Sequence, residues 1–214
     1  MQPKEAVVTT GGAAAERVPP AEVADPGHDP SELSALYAEL DATDDTSYIL
    51  SNRFRIVRAN AAWDRFAVAN DGANVLARWG RGAAVLDAIC VALRPFYREL
   101  FERALATGQR FEHDYECSSP HVFRSFRMLV VPVGPFLMIT HSLQVERPHD
   151  RIALAADAAY LHRGVIRMCA CCRRVRAATA VERWDWVPAY VAAMPRNASH
   201  GLCAMCEHGY ELRS

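Results

Sequence analysis

The sequence predicts an α+β chain: an antiparallel five-stranded sheet with helices on one face, followed by a small module held by paired cysteines. Three observations predict it. Two short β-prone segments precede a helical middle and three follow it, so strands and helices come in separate blocks. Cys169, Cys172, Cys203 and Cys206 form two Cys-x-x-Cys pairs near the end of the chain. At 214 residues, 51% hydrophobic and 23% charged, the chain can build one core plus an accessory unit.

Residues 1–28 are rich in Ala, Pro, Gly and acidic groups and carry no apolar period, so a disordered acidic arm is expected there. Over 29–46 an amphipathic helix follows. Asp29 can cap it, Pro30 suits the first helical position and Glu32 completes a capping box. Leu33, Leu36, Tyr37 and Leu40 fall on one face, which must pack on the next domain or on a second copy of the chain.

"SYILSNRFRIVRAN" reads as strands Tyr48 to Leu50 and Arg55 to Ala59, joined by a turn at Ser51, Asn52 and Arg53. The next helix takes Asn60 as its cap and buries Trp63, Phe66 and Ala67. "AAVLDAICVAL" and "RPFYRELFERALATG" read as further helices, the latter started by Pro95 and stopped by Gly108. "FEHDYEC", "FRSFRMLVVPV" and "FLMITHSLQV" close a domain over 47–145 as three strands. Residues 146–162 read as a connector helix capped by Asp150, with Ile152, Ala155, Ala156 and Tyr160 at helical spacing.

This succession, with Asn60 to Trp63 opening a helix, Tyr115 to Pro120 in "YECSSP" and His141 on the last strand, resembles a PAS domain. The resemblance covers about half the chain. It implies a sensing or dimerising module with a cavity between sheet and helices, for which Trp63, Phe66, Cys90, Phe126, Met128 and His141 are the candidate lining residues. It also implies a homodimer through the domain and its N-terminal helix, and connector helices that pass a signal onward. Cys90 lacks the Asn-Cys-Arg-Phe context of a flavin-binding photosensor. Haem usually takes a histidine from the helix that is here "FYRELFERALATG", which has none; His113 and His141 are the alternatives, so haem is not indicated.

Residues 163–214 carry the strongest chemical signal. A tetrahedral zinc site wants sulfurs about 2.3 Å from the ion, and each Cys-x-x-Cys turn brings two sulfurs to one point. One zinc per chain on Cys169, Cys172, Cys203 and Cys206 is expected, with an iron–sulfur cluster or a metal-free thiol switch as alternatives. A knuckle first and a helix-borne pair last is a treble-clef-like order. Cys171 is a spare thiol or alternative ligand, and His200 can bond a sulfur or serve as a further ligand. Arg167, Arg173, Arg174 and Arg176 form a basic patch that can offset thiolate charge. "IRMCACCRRVR", "WDWVPAYV" and "SHGLCAMC" also resemble a cysteine-paired accessory module found after PAS or receiver domains in bacterial signalling proteins.

Net charge is −1 in total but −8 over residues 1–46, +3 over 47–160 and +4 over 161–214. Lys4 is the single lysine, which suggests a high-GC bacterial genome. No apolar run reaches the about 18 to 20 residues of a membrane span, and the first residues lack the pattern of a secretory signal, so a cytoplasmic location is expected. The tail is too short for a kinase or cyclase core and no phosphate-binding Gly-rich loop is present, so a non-catalytic signalling protein is expected, with the zinc module docking a protein partner. The alternatives are a haem or iron–sulfur redox or gas sensor, and a transcription regulator whose arginines contact DNA phosphates; nucleic acid is the weaker partner, since no recognition helix is visible.

Overall fold

The computed structural model describes residues 30–70 and 73–210. The arm at 1–28 and the capping role of Asp29 lie outside the described residues.

Helix α1 (Pro30–Ala42) leads into strand β1 (Thr46–Leu50) and, after a tight turn, β2 (Ile56–Ala59). In that turn the Ser51 carbonyl accepts from the Phe54 N–H at 2.9 Å. Helices α2 (Ala61–Ala69), α3 (Ala73–Arg78), α4 (Val85–Ala88) and α5 (Arg94–Thr107) follow, then β3 (Phe111–Glu116), β4 (Val122–Val133) and β5 (Phe136–Pro148). The sheet runs β2-β1-β5-β4-β3, with every pairing antiparallel. This is the arrangement that the resemblance to PAS domains implies.

Strand side chains alternate between faces, so a strand buried on both faces reads as a continuous apolar run. "YIL" and "FLMI" are such runs. Tyr48, Leu50, Leu137 and Ile139 join Phe101, Met128 and Val130 in the core beneath α4 and α5, while Ile49, Phe136 and Met138 face the other way against Leu36 and Leu40 of α1. The apolar face of α1 thus packs on the chain's own sheet, the first of the two partners expected for that face.

Asn60 joins four segments. Its Oδ1 accepts from the Trp63 N–H that starts α2 and from the Ser47 N–H, both at 3.1 Å, and its Nδ2 donates to the carbonyls of Leu40, Thr43 and Asp45. At 3% exposure, no water can replace these bonds. Asn60→Ala is expected to cost about 2–3 kcal/mol, a lost cap plus unpaired buried groups. Urea unfolding measures it, and Asn60→Asp, which keeps the acceptor but faces three carbonyls, should recover only part.

Helix α5 starts with Pro95 in its first turn and ends at Gly108, whose φ of +67° closes the helix in the left-handed region. Two elements differ from expectation. Helix α4 stops at Ala88, because Arg94 donates to the carbonyls of Asp87 and Ile89 that a longer helix would use. The connector helix over 146–162 does not form. β5 runs on to Pro148 against β4, and the following segment is extended until a single 3-10 turn at Ala158–Tyr160. The Leu154 N–H donates to the Trp186 carbonyl at 2.9 Å, so the segment pairs with the tail at that residue. Half of its apolar stripe is alanine, which would have buried little as a helix.

The tail builds its own small sheet from β6 (Leu161–His162), β7 (Val165–Cys169), β8 (Val175–Arg176), β9 (Trp184–Asp185) and β10 (Ala198–Gly201), ordered β10-β7-β8-β9 with β6 on β7. Helices α6 (Pro188–Ala192) and α7 (Ala204–Glu207) and a 3-10 turn at His208–Tyr210 complete it. Among the described residues no helix is long and apolar enough to cross a membrane.

Candidate metal centre

Cys169 ends β7 and Cys172 closes the turn before β8. The Arg173 N–H donates back to the Cys169 carbonyl at 3.1 Å and the Cys169 N–H to the Arg174 carbonyl at 2.8 Å, with Arg173 at φ +58°. Two sulfurs thus sit on one tight knuckle. The Ala170 N–H donates to the Gly201 carbonyl at 2.7 Å, which fixes β10 beside the knuckle. Two residues later Cys203 caps α7, its carbonyl accepting from the N–H groups of Cys206 and Glu207, so the second pair rides on the first turn of a helix.

All four ligand sulfurs lie within 4.8 Å of one another. Cys172 Sγ and Cys203 Sγ are 3.7 Å apart. A disulfide is about 2.05 Å long, whereas sulfurs about 2.3 Å from a tetrahedral centre are spaced by about 3.8 Å. The cluster therefore has the dimensions of a metal shell. Cys169, Cys172 and Cys203 are buried and Cys206 is half-buried, with Trp184 and Leu202 packed around them. The neighbouring Cys172 and Cys206 thiols pull the Cys169 thiol far below its usual range. Four protein ligands leave no open position for a reacting water.

Cys171 lies outside the set of four, and the neighbouring Cys206 thiol and Tyr210 hydroxyl help to hold its thiol down to about 7. His200 is exposed on β10 and takes no part in the cluster. Of the four arginines expected around the first pair, Arg173 and Arg174 take part in the knuckle through their backbones. Arg167 and Arg176 line a concavity with Tyr160 and His162, and Arg173 acts on the Cys117 thiol.

The guanidinium at the knuckle is Arg151, which sequence reasoning missed. It donates to the Cys172 carbonyl at 3.2 Å and to Glu116 Oε2 at 2.6 Å, with side chains 10% and 13% exposed in the ion pair, and lies over the Trp186 ring. Glu116 ends β3 of the sheet domain, so this pair ties the knuckle to that domain. Tyr210 makes a second tie: its ring meets Phe96, Tyr97 and His113 with centroids 4.7–6.2 Å apart. Arg151 stands just before the apolar run Ile152–Ala156 in the sequence, but its partner is 35 residues away.

The cavity residues divide. Met128 is fully within the core and Trp63 stands edge-on to Tyr48. Cys90 sits in the half-buried turn between α4 and α5. Phe66, Phe126 and His141 line an open cleft of about 320 Å³ with Thr46, Asn70 and Leu143. His141 Nδ1 is 2.8 Å from the Tyr115 hydroxyl and Nε2 is 3.3 Å from that of Tyr48, so one nitrogen donates and the other accepts. Burial pushes its pKa down to about 4. His141 is neutral in the folded chain, and the unfolded chain binds the extra proton below its ordinary value of about 6.5. Stability is therefore expected to be constant above that pH and to fall by up to about 3 kcal/mol as pH drops from about 6.5 to 4. His113, also lowered by burial, acts in the same direction. Denaturation across this range checks it, and His141→Phe should flatten the slope.

No family model matches the chain, and no curated protein matches it. Among solved structures, the PAS domain of BvgS from Bordetella pertussis is similar at 19% identity over 55% of this chain and 89% of that one, with a TM-score of 0.43. A PAS domain from a two-component sensor histidine kinase is similar at 14% identity over 53% of this chain and 99% of that one, TM-score 0.35. The photoactive yellow protein domain of the sensor histidine kinase Ppr from Rhodospirillum centenum is similar at 18% identity over 49% of this chain and 89% of that one, TM-score 0.34.

Proposed function

We propose that the protein is a non-catalytic signalling protein in which the sheet domain senses a signal and a zinc-stabilised tail relays it to a protein partner. The observation that carries this reading is the join between the two parts. β5, which holds His141 in the cleft, continues into the segment bearing Arg151, and Arg151 grips both β3 through Glu116 and the knuckle through the Cys172 carbonyl. A change of packing in the cleft has a short covalent path to the tail. Zinc suits the four thiolates because a structural ion needs only a closed tetrahedral shell, and the tail's own buried cluster is small. A homodimer would use surfaces other than the apolar face of α1.

The test is amide hydrogen exchange in His141→Phe. Protection of residues 165–176 and 203–210 should change several-fold relative to the native chain. Exchange that changes only within the sheet domain would contradict a signal read out through the tail.

A further inference from the structure

The tail sheet places two arginines side by side with no carboxylate partner among the described residues. Met168 pairs with Val175 in the antiparallel β7 and β8, which sets Arg167 directly opposite Arg176. Both line one concavity with Tyr160, His162, Ala177 and Ala178. Neither arginine has a carboxylate, hydrogen-bond or ring partner among the described residues. The nearby carboxylate of Asp185 is already engaged, at 2.9 Å by Arg183 and at 3.0 Å by the Tyr160 hydroxyl.

Like charges directly opposite each other on a sheet are destabilising. A guanidinium presents a planar fork of N–H donors that matches phosphate oxygens, and two forks over one concavity supply the charge of a doubly ionised phosphate group. We propose that Arg167 and Arg176 form an oxyanion site that takes a phosphate monoester group. The two arginines are cross-strand neighbours on one concavity, which suits a single phosphoryl group on a small molecule or a protein side chain better than the spaced phosphates of a nucleic acid. The site lies on β7 and β8 and does not share residues with the four-cysteine cluster.

The experiment titrates the full-length, metal-loaded protein with inorganic phosphate, with chloride at matched ionic strength as control, and follows thermal unfolding and amide shifts of residues 160–178. Saturable shifts with phosphate alone are expected, and Arg167→Ala with Arg176→Ala should abolish them while Arg196→Ala leaves them intact. In phosphate-free buffer the double variant should be as stable as the native chain or about 2 °C more so, because repulsion is relieved. Equal responses to phosphate and chloride, unchanged phosphate binding in the double variant, or a large loss of stability in that variant would each overturn the site. Duplex DNA that binds through the same two arginines at physiological salt while inorganic phosphate does not would also overturn it, in favour of a nucleic-acid contact.

Discussion

Cys203→Ser is expected to unfold the tail while leaving the sheet domain folded. A structural zinc ion contributes about 10–16 kcal/mol to the folding of a small finger, and one lost thiolate forfeits much of it. The tail cannot compensate, since its cluster away from the cysteines is Tyr160, Ile166, Met168, Val175 and Val187 with Tyr190 against it. The sheet domain has an independent core on both faces of five strands. Hydrogen exchange should show residues 165–210 fully exposed in the variant, with β1, β4 and β5 still protected. Chelation of the native protein should give the same pattern. Cys171→Ser and His200→Ala should retain the metal, because neither belongs to the group of four.

Arg151→Ala is the second large effect, and it separates docking from metal binding. Removing one partner of a nearly buried ion pair costs about 3–5 kcal/mol, chiefly by stranding the other charge. Here Glu116 would be stranded, and the Cys172 carbonyl and the Trp186 ring would lose their cation. The variant should keep its metal yet show faster exchange at β3, at the knuckle and around Tyr210. Glu116→Ala strands Arg151 and should cost a similar amount. In the double variant the costs should be well short of additive, since the two residues share one interaction. Full additivity would mean that the pair does not join the two parts.

The sheet domain was legible in the sequence because its signals are local. Asn60 precedes an apolar helical stripe, Pro95 and Gly108 bracket α5, and the β-prone runs around Tyr48, Met128 and Ile139 are long enough to read as strands. The four-cysteine cluster was legible for the same reason, since each pair is a single turn of chain. What could not be read depends on contacts distant in sequence. Residues 150–157 have helical spacing, but the Leu154 N–H goes to the Trp186 carbonyl and Arg151 to Glu116, so tertiary pairing overrides propensity. The basic patch looked like one feature because its arginines are neighbours in the chain. Strand pairing sends Arg167 and Arg176 to one concavity, while Arg173 closes the knuckle beside Cys117.

The measurement that bears most directly on the central claim is elemental analysis of the purified protein, giving zinc and iron per chain. One zinc and no iron is the predicted result for a closed shell of Cys169, Cys172, Cys203 and Cys206. Iron near or above one per chain would contradict it and make the centre an iron–sulfur or haem sensor. A chain with neither metal whose tail amides remain protected would contradict it as well, because the tail would then fold without the ion.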